Sequence, residues 1–351
     1  MRRFPALLLA LAALFVVNAV RPAAAQWKFA VSGDSRNCGD VVMPAIAADA
    51  RREGVRFYWH LGDLRWLSNI DEDIANAKGS RPGNVDEYRA MAWQDFTEHQ
   101  MGAWKGIPVF LGIGNHELYG GKTRETFLSQ FRLFLDSPGV KAQRLHDNPN
   151  DTDPHTYYHW IEGGVDFVYL DNASADQFDP EQMDWLTGVL QRAATNPDVH
   201  TVVLGMHEPL PNSYASNHAM DDWQLGRETG TRVYHQLLDF KSKSHKPVLL
   251  IASHQHLYMP NVYDTPYWRQ NGGVLPGWIV GSGGAHRYAL PANAPSGSKT
   301  HVYGYLEGTV DGQGGVQLTY REIHKDEVPP EVKARYAPGF VDWCFAENSD
   351  K

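Results

Sequence analysis

The sequence is short of cysteine, of basic charge and of long apolar runs. Two cysteines in 351 residues exclude a disulfide-framed scaffold. With 32 Lys and Arg against 41 Asp and Glu, the formal charge is −9, and the basic excess of a typical nucleic-acid-binding chain is missing. One apolar stretch, Ala6 to Val20, approaches membrane length, yet it falls short of the ~20 residues that cross a bilayer. What is present points to a folded, core-forming chain: 42% of residues are hydrophobic, which excludes disorder, collagen and coiled coil. Sixteen histidines and eleven tryptophans stand out. That many imidazoles justify a search for metal ligands, although most histidines in any chain are structural.

The N-terminus has the order of a secretory signal peptide. Arg2 and Arg3 precede the apolar run, and Ala23, Ala24 and Ala25 follow it as a small-residue cleavage site. Cleavage after Ala25 removes Arg2, Arg3 and Arg21 and no acid, so the charge becomes −9 − 3 = −12. The reading is an exported chain, periplasmic or secreted, with no stable membrane span after cleavage. It divides into a signal peptide over 1–25, one α/β domain over 26–325 and an irregular tail over 326–351. In an oxidising compartment Cys38 and Cys344 are candidates to pair.

Along the domain, β-like runs alternate with helical periodicity. Strands are expected at Trp27–Ser32, Arg56–Leu61, Pro108–Gly112, His200–Gly205, Pro247–Ala252, Trp278–Val280, Val302–Gly308 and Gly315–Tyr320. Tyr157–Ile161 and Val165–Leu170 flank Glu162-Gly163-Gly164 and read as a hairpin. Helices are expected at Val41–Arg52, Asp86–Gln100, Arg124–Leu135, Pro180–Ala194 and Val233–Lys241, the fourth entered through Asp179 and a first-turn proline.

Five short motifs each follow directly on a strand: Gly33-Asp34, Gly62-Asp63, Gly114-Asn115-His116-Glu117, His207 and His254-Gln255-His256. In open α/β sheets the loops beyond the carboxyl ends of the strands carry function. Carboxylate, amide oxygen and imidazole together suit a mixed N/O site for Zn, Mn or Fe. Singly each motif is a common turn; in this order they form a constellation. Competing motifs fail. Gly121-Lys122-Thr123 lacks the first glycine of a phosphate-binding loop, no Gly-x-Ser-x-Gly elbow occurs, and neither His-Glu pair has the second histidine of a zincin.

From Trp27 to about Ile323 these motifs resemble the calcineurin-like metallophosphoesterase family, with a purple-acid-phosphatase-like branch among the options. The resemblance implies a four-layer αββα sandwich of two mixed sheets. It implies that Asp34 and His256 bind a first metal, that Asp63 bridges, and that Asn115, His207 and His254 bind a second. His116 would stand beside the leaving group as general acid, with Glu117 orienting it or a ligand. The implied chemistry is hydrolysis of a phosphate ester, from a small-molecule or lipid-linked substrate. Hydroxide held by two divalent or mixed-valence transition-metal ions (Mn, Fe or Zn) would attack. The family's Asp-x-His becomes Asp34-Ser35-Arg36, and Trp66 stands where relatives place a substituting tyrosine. A guanidinium does not ligate a metal. Three accounts stay open: Arg36 clamps the substrate phosphate, the first metal binds loosely, or one metal suffices. The alternative to an enzyme is a non-catalytic exported metal- or ligand-binding protein with a degenerate first site.

Two further groups have bland and sharp readings. His60 reads as a packed core residue; His99, His146, His155, His159, His218, His235 and His245 read as surface residues. Tyr258, Tyr263, Tyr267 and Trp268 read as a structural cover ahead of a stacking wall for substrate, and His286 as remote from the site.

Overall fold

The computed structural model describes residues 25–173, 177–215 and 218–350. Apart from Ala25, the expected signal peptide lies outside the described residues. Eleven strands are formed among them: β1 (Trp27–Ser32), β2 (Val55–His60), β3 (Val109–Leu111), β4 (Tyr158–Glu162), β5 (Val165–Leu170), β6 (Thr201–Met206), β7 (Val248–Ala252), β8 (Tyr258–Pro260), β9 (Gly277–Val280), β10 (Tyr303–Val310) and β11 (Val316–Ile323). They make a five-stranded sheet in the order β11-β10-β1-β2-β3 and a six-stranded sheet in the order β4-β5-β6-β7-β9-β8. β1, β2 and β3 run parallel, as do β5, β6, β7 and β9, while β10, β11, β4 and β8 pair antiparallel. Both sheets are therefore mixed.

The parallel strands are near-continuous apolar runs. VDFVYL, TVVLGM and VLLIA are buried at every residue, as strands covered on both faces must be. Between the sheets the core is aromatic, which accounts for several of the tryptophans. Phe57 meets Phe167 edge-on at 5.2 Å, Phe110 stacks on Trp160 at 3.9 Å, and Trp59 crosses Trp160 at 5.3 Å. The outer face of the first sheet is covered by α1 (Gly39–Arg52), whose Val41, Val42, Ala45 and Ile46 are buried. A further helix, α2 (Val85–Asp95), follows the β2 loop. The second sheet is covered by α3 (Pro180–Thr195) and α4 (Gln224–Ser244), which bury Leu186, Val189, Val233 and Leu237 against Val168, Val202 and Leu250. The result is four layers, helix–sheet–sheet–helix.

Several elements differ from the expected ones for local reasons. The helix expected to reach Gln100 leaves α geometry at Phe96 and closes with a π turn over Phe96–Gln100. Arg124–Leu135 breaks at Phe131 into Arg124–Gln130 and Arg132–Leu135. α4 begins at Gln224 rather than Val233, because the weak helix formers Gly226 and Gly230 are buried and held by packing. A helix at Pro138–Asp147 and the short β8 were not foreseen. The expected irregular tail instead carries two short helices, Pro330–Lys333 and Phe340–Ala346. It is tied down by a Cys38–Cys344 disulfide, with Cα atoms 6.0 Å apart, and by Asn348, whose Nδ2 donates to the Tyr303 hydroxyl at 2.8 Å.

Candidate metal centre

All five motifs emerge at one end of the paired sheets. Asp34 follows β1, Asp63 follows β2, Asn115 and His116 follow β3, His207 follows β6, and His254 and His256 follow β7. Three of these residues have left-handed backbones: Asp34 at φ 59°, Asp63 at φ 58° and His254 at φ 65°. Such conformations cost roughly 1–3 kcal/mol each and persist where the surroundings over-determine them. Here the surroundings do so. Asp34 N donates to Gly62 O at 3.0 Å, Ser35 N to Asp63 O at 3.0 Å, and His254 N to Asp34 Oδ2 at 2.8 Å. Gly62, at φ 99°, and Gly114 let two of the loops touch, since a Cβ on Gly114 would lie 2.4 Å from both Asp63 N and Oδ1.

Two ligand groups share Asp63. In one, His207 Nε2 faces Asn115 Oδ1 at 3.0 Å, His254 Nδ1 at 3.0 Å and Asp63 Oδ1 at 3.4 Å. His207 Nδ1 lies 3.0 Å from the Leu61 carbonyl, so its proton is there and Nε2 carries a lone pair toward the centre. Amide oxygen, carboxylate and imidazole nitrogens thus converge as a donor set for a divalent transition cation. The residues fit a metal at this position.

The other group is Asp34, Asp63 and His256, and it already holds a positive charge. His256 Nδ1 lies 2.5 Å from the His286 carbonyl, which leaves the lone pair on Nε2. That nitrogen is 3.3 Å from Asp34 Oδ1, and Arg36 Nη2 donates to it at 2.8 Å. Arg36 Nη1 contacts His116 Nε2, and Arg36 Nε lies 3.6 Å from Asp63 Oδ2. Asp34 Oδ1 and Asp63 Oδ2 have no hydrogen-bond donor.

The electrostatics follow from burial. Burial, and then the charge of Arg36, push His116 down to about 3 against the pull of Asp63, so the ring is neutral in this arrangement. Burial also works against the charge of Asp63, but the neighbouring imidazoles and Arg36 outweigh it and lower its pKa.

Glu117 does not orient His116. It is fully buried and accepts from Gly114 N at 2.8 Å, Asp63 N at 2.9 Å and Leu64 N at 2.9 Å, so it holds the Asp63 loop. Burial, then the charge of Asp63, raise its carboxyl, and the three N–H donors draw it back. Arg65, two residues beyond Asp63, anchors the same loop from the other side. It meets Asp40 at 2.5 Å, Asp73 at 3.1 Å, Asp71 at 3.5 Å and also Asp95. The sequence reading missed Arg65, whose only signal was an excess of nearby Asp. It also missed Ser253 and Asn172. Ser253 Oγ sits 3.1 Å from His207 Nδ1, and Asn172 Oδ1 accepts from the backbone N–H of His207 and Glu208.

Other expectations resolve plainly. His60 is buried against Ser35 Oγ at 2.9 Å, and its ring is pushed down to about 3 by burial. His286 approaches only through its carbonyl; its ring bonds Asp350. His159 is not a surface residue but lies buried in β4 between Asp147 at 2.7 Å and Asp166 at 2.8 Å. His218 packs near the centre, its ring 5.7 Å from that of His254. Tyr263 and Trp268 are core residues, Trp268 stacked on Tyr234 and Tyr263 meeting it edge-on, and Tyr258 stacks on Tyr320. The aromatic ring at the centre is instead Tyr288, stacked on His256 at 4.1 Å.

No family model and no curated protein matches the chain. Solved structures match its fold. A purple acid phosphatase isolated from yellow lupin (Lupinus luteus) seeds superimposes with a TM-score of 0.53 and 15% identity over 85% of this chain and 52% of the lupin chain. PhoD superimposes with a TM-score of 0.54 and 15% identity, covering 86% of this chain and 70% of that one. This chain thus spans about half the length of the lupin protein. At these identities the likeness is one of fold alone, the two mixed sheets flanked by helices that those structures share.

Proposed function

We propose that this protein is an exported, metal-dependent phosphoester hydrolase acting on small or lipid-linked phosphate esters. The observation that carries the reading is the convergence of ligand atoms from Asp63, Asn115, His207 and His254 at the carboxyl ends of two sheets. Asp63, Asn115, His207 and His254 would hold a divalent Mn, Fe or Zn ion, which would supply positive charge to a phosphoryl oxygen and lower the pKa of water toward neutral. Arg36 presents a buried guanidinium beside Asp63 and His116, suited to binding phosphoryl oxygens in pairs. His116 serves as proton donor to the leaving oxygen. A bound phosphoryl dianion offsets the repulsion of Arg36 and favours the protonated ring when a proton is needed.

Export rests on the N-terminal pattern. No helix among the described residues is long and apolar enough to cross a membrane.

The test is hydrolysis of p-nitrophenyl phosphate and bis-p-nitrophenyl phosphate by wild type, Asp63→Asn and His116→Ala. The reading expects turnover of at least one ester, abolished by chelation and by Asp63→Asn, and a His116→Ala loss of about 10²–10⁴-fold in kcat. Undiminished rates in Asp63→Asn or after exhaustive chelation would sink it. Bound metal with no turnover of either ester would favour the binding-protein alternative.

A further inference from the structure

The two ligand groups differ in what already occupies them. Around His207 Nε2 every facing atom is an oxygen or ring nitrogen of the donor set: Asn115 Oδ1, His254 Nδ1 and Asp63 Oδ1. Around His256 Nε2 the outcome is different, because Arg36 Nη2 donates to its one lone pair at 2.8 Å. The tautomer permits nothing else, since Nδ1–H of the same ring is committed to the His286 carbonyl. An imidazole nitrogen has a single in-plane lone pair, and a metal would need it at roughly 2.0–2.1 Å. A guanidinium N–H and a cation cannot both take it. Arg36 is also wedged. It is 8% exposed and touches His116 and His256, residues 80 and 220 positions away in sequence, and its Nε faces Asp63 Oδ2. Withdrawing it would break its contacts with His116, His256 and Asp63, and keeping it would leave Nη2 and a divalent ion competing for the same His256 lone pair.

We infer that Arg36 stands in place of the first metal, so that this centre takes one divalent cation, at Asp63, Asn115, His207 and His254, with the guanidinium as the resident second positive charge. The inference rests on the proposed metal-dependent reading of the same site. It selects among the three accounts that the sequence left open. The donor set Asp34, Asp63 and His256 is intact but blocked. Asp34 Oδ1 and Asp63 Oδ2, both buried without hydrogen-bond donors, are the oxygens that removal of the guanidinium would free for a second ion.

The test is metal stoichiometry. Metal-free full-length protein would be titrated with Mn²⁺, bound ions counted by elemental analysis after desalting, and the spin state read by electron paramagnetic resonance. Wild type is expected to bind one Mn²⁺ per chain with the spectrum of an isolated ion. Arg36→His and Arg36→Ala, both checked for native circular dichroism, are expected to bind two, with an exchange-coupled spectrum. In wild type, His256→Ala should leave Mn²⁺ affinity within about threefold, whereas His207→Ala should weaken it by at least ~100-fold, as loss of a direct ligand exceeds the 10–100-fold typical of outer contacts. Two ions in wild type would overturn the inference while leaving the hydrolase reading standing. One ion in both Arg36 variants would overturn the assignment of Arg36 as the block. No ion in wild type would overturn the metal-dependent reading itself.

Discussion

Glu117 offers a quantitative test of how the Asp63 loop is held. Its carboxylate accepts three backbone N–H groups, from Gly114, Asp63 and Leu64, at 2.8–2.9 Å with no solvent exposure. Glu117→Ala leaves three buried donors without partners. Each hydrogen bond to a charged group is worth about 1.5–3 kcal/mol, and the three share one acceptor, so a loss on the order of 4 kcal/mol is expected. Glu117→Gln separates charge from shape. Its amide oxygen can serve Asp63 N and Gly114 N, but its NH₂ then faces Leu64 N–H, donor against donor, for a loss of about 1–3 kcal/mol. Urea unfolding followed by circular dichroism measures both. Because Asp63 rides on this loop, Mn²⁺ affinity should fall by ~10–100-fold in Glu117→Gln, the usual effect of disturbing a contact behind a ligand. An alanine variant within about 0.5 kcal/mol of wild type, with unchanged Mn²⁺ affinity, would refute the reasoning.

Other expectations follow from the same structure. Cys38–Cys344 closes a loop of 306 positions, for which the chain-entropy account gives about 5–6 kcal/mol; the double serine variant should lose at least ~2 kcal/mol by urea unfolding, and a loss below ~0.5 kcal/mol would contradict the account. Buried His159 should make stability fall in alkali. Burial opposes its charge, but Asp166 and Asp147 outweigh it and raise the ring to about 9 from an unfolded value of 6.5. A raised folded value contributes stability in full below pH 6.5 and loses it as pH rises through about 9. At 1.36 kcal/mol per unit this is up to about 3 kcal/mol, partly offset because burial raises Asp166 as well. His159→Gln should therefore flatten the decline in unfolding free energy between pH 6.5 and 9.5, and an equally steep decline in the variant would exclude His159 as its source.

Much of the centre was legible because its signals are local. Each candidate ligand stands within a few residues of the end of an apolar strand, and the order of the loops reproduces a known architecture. What was not legible depends on packing between distant segments. The sequence revealed a guanidinium at position 36 but not that it lies against His116 and His256, since those contacts require three loops to close on one another. His159 looked like a surface residue because its partners, Asp147 and Asp166, come from a preceding helix and the opposite arm of a hairpin. Glu117 was recognised as a supporting residue, yet its object, the backbone on either side of Asp63, is a property of the folded loops. The tail looked irregular for a similar reason: Phe340 and Cys344 are buried only because the disulfide and Asn348 bring the chain end onto β10 and the Cys38 loop.

The central claim is that the ligand atoms facing His207 Nε2 form a catalytic metal site. The most direct measurement adds Mn²⁺ stepwise to metal-free protein while p-nitrophenyl phosphate and bis-p-nitrophenyl phosphate hydrolysis is followed, with His207→Ala in parallel. The account predicts turnover that rises from zero and saturates at one equivalent, and none in His207→Ala at the same metal concentration. Equal turnover of metal-free and Mn²⁺-loaded protein, or wild-type rates in His207→Ala, would contradict it.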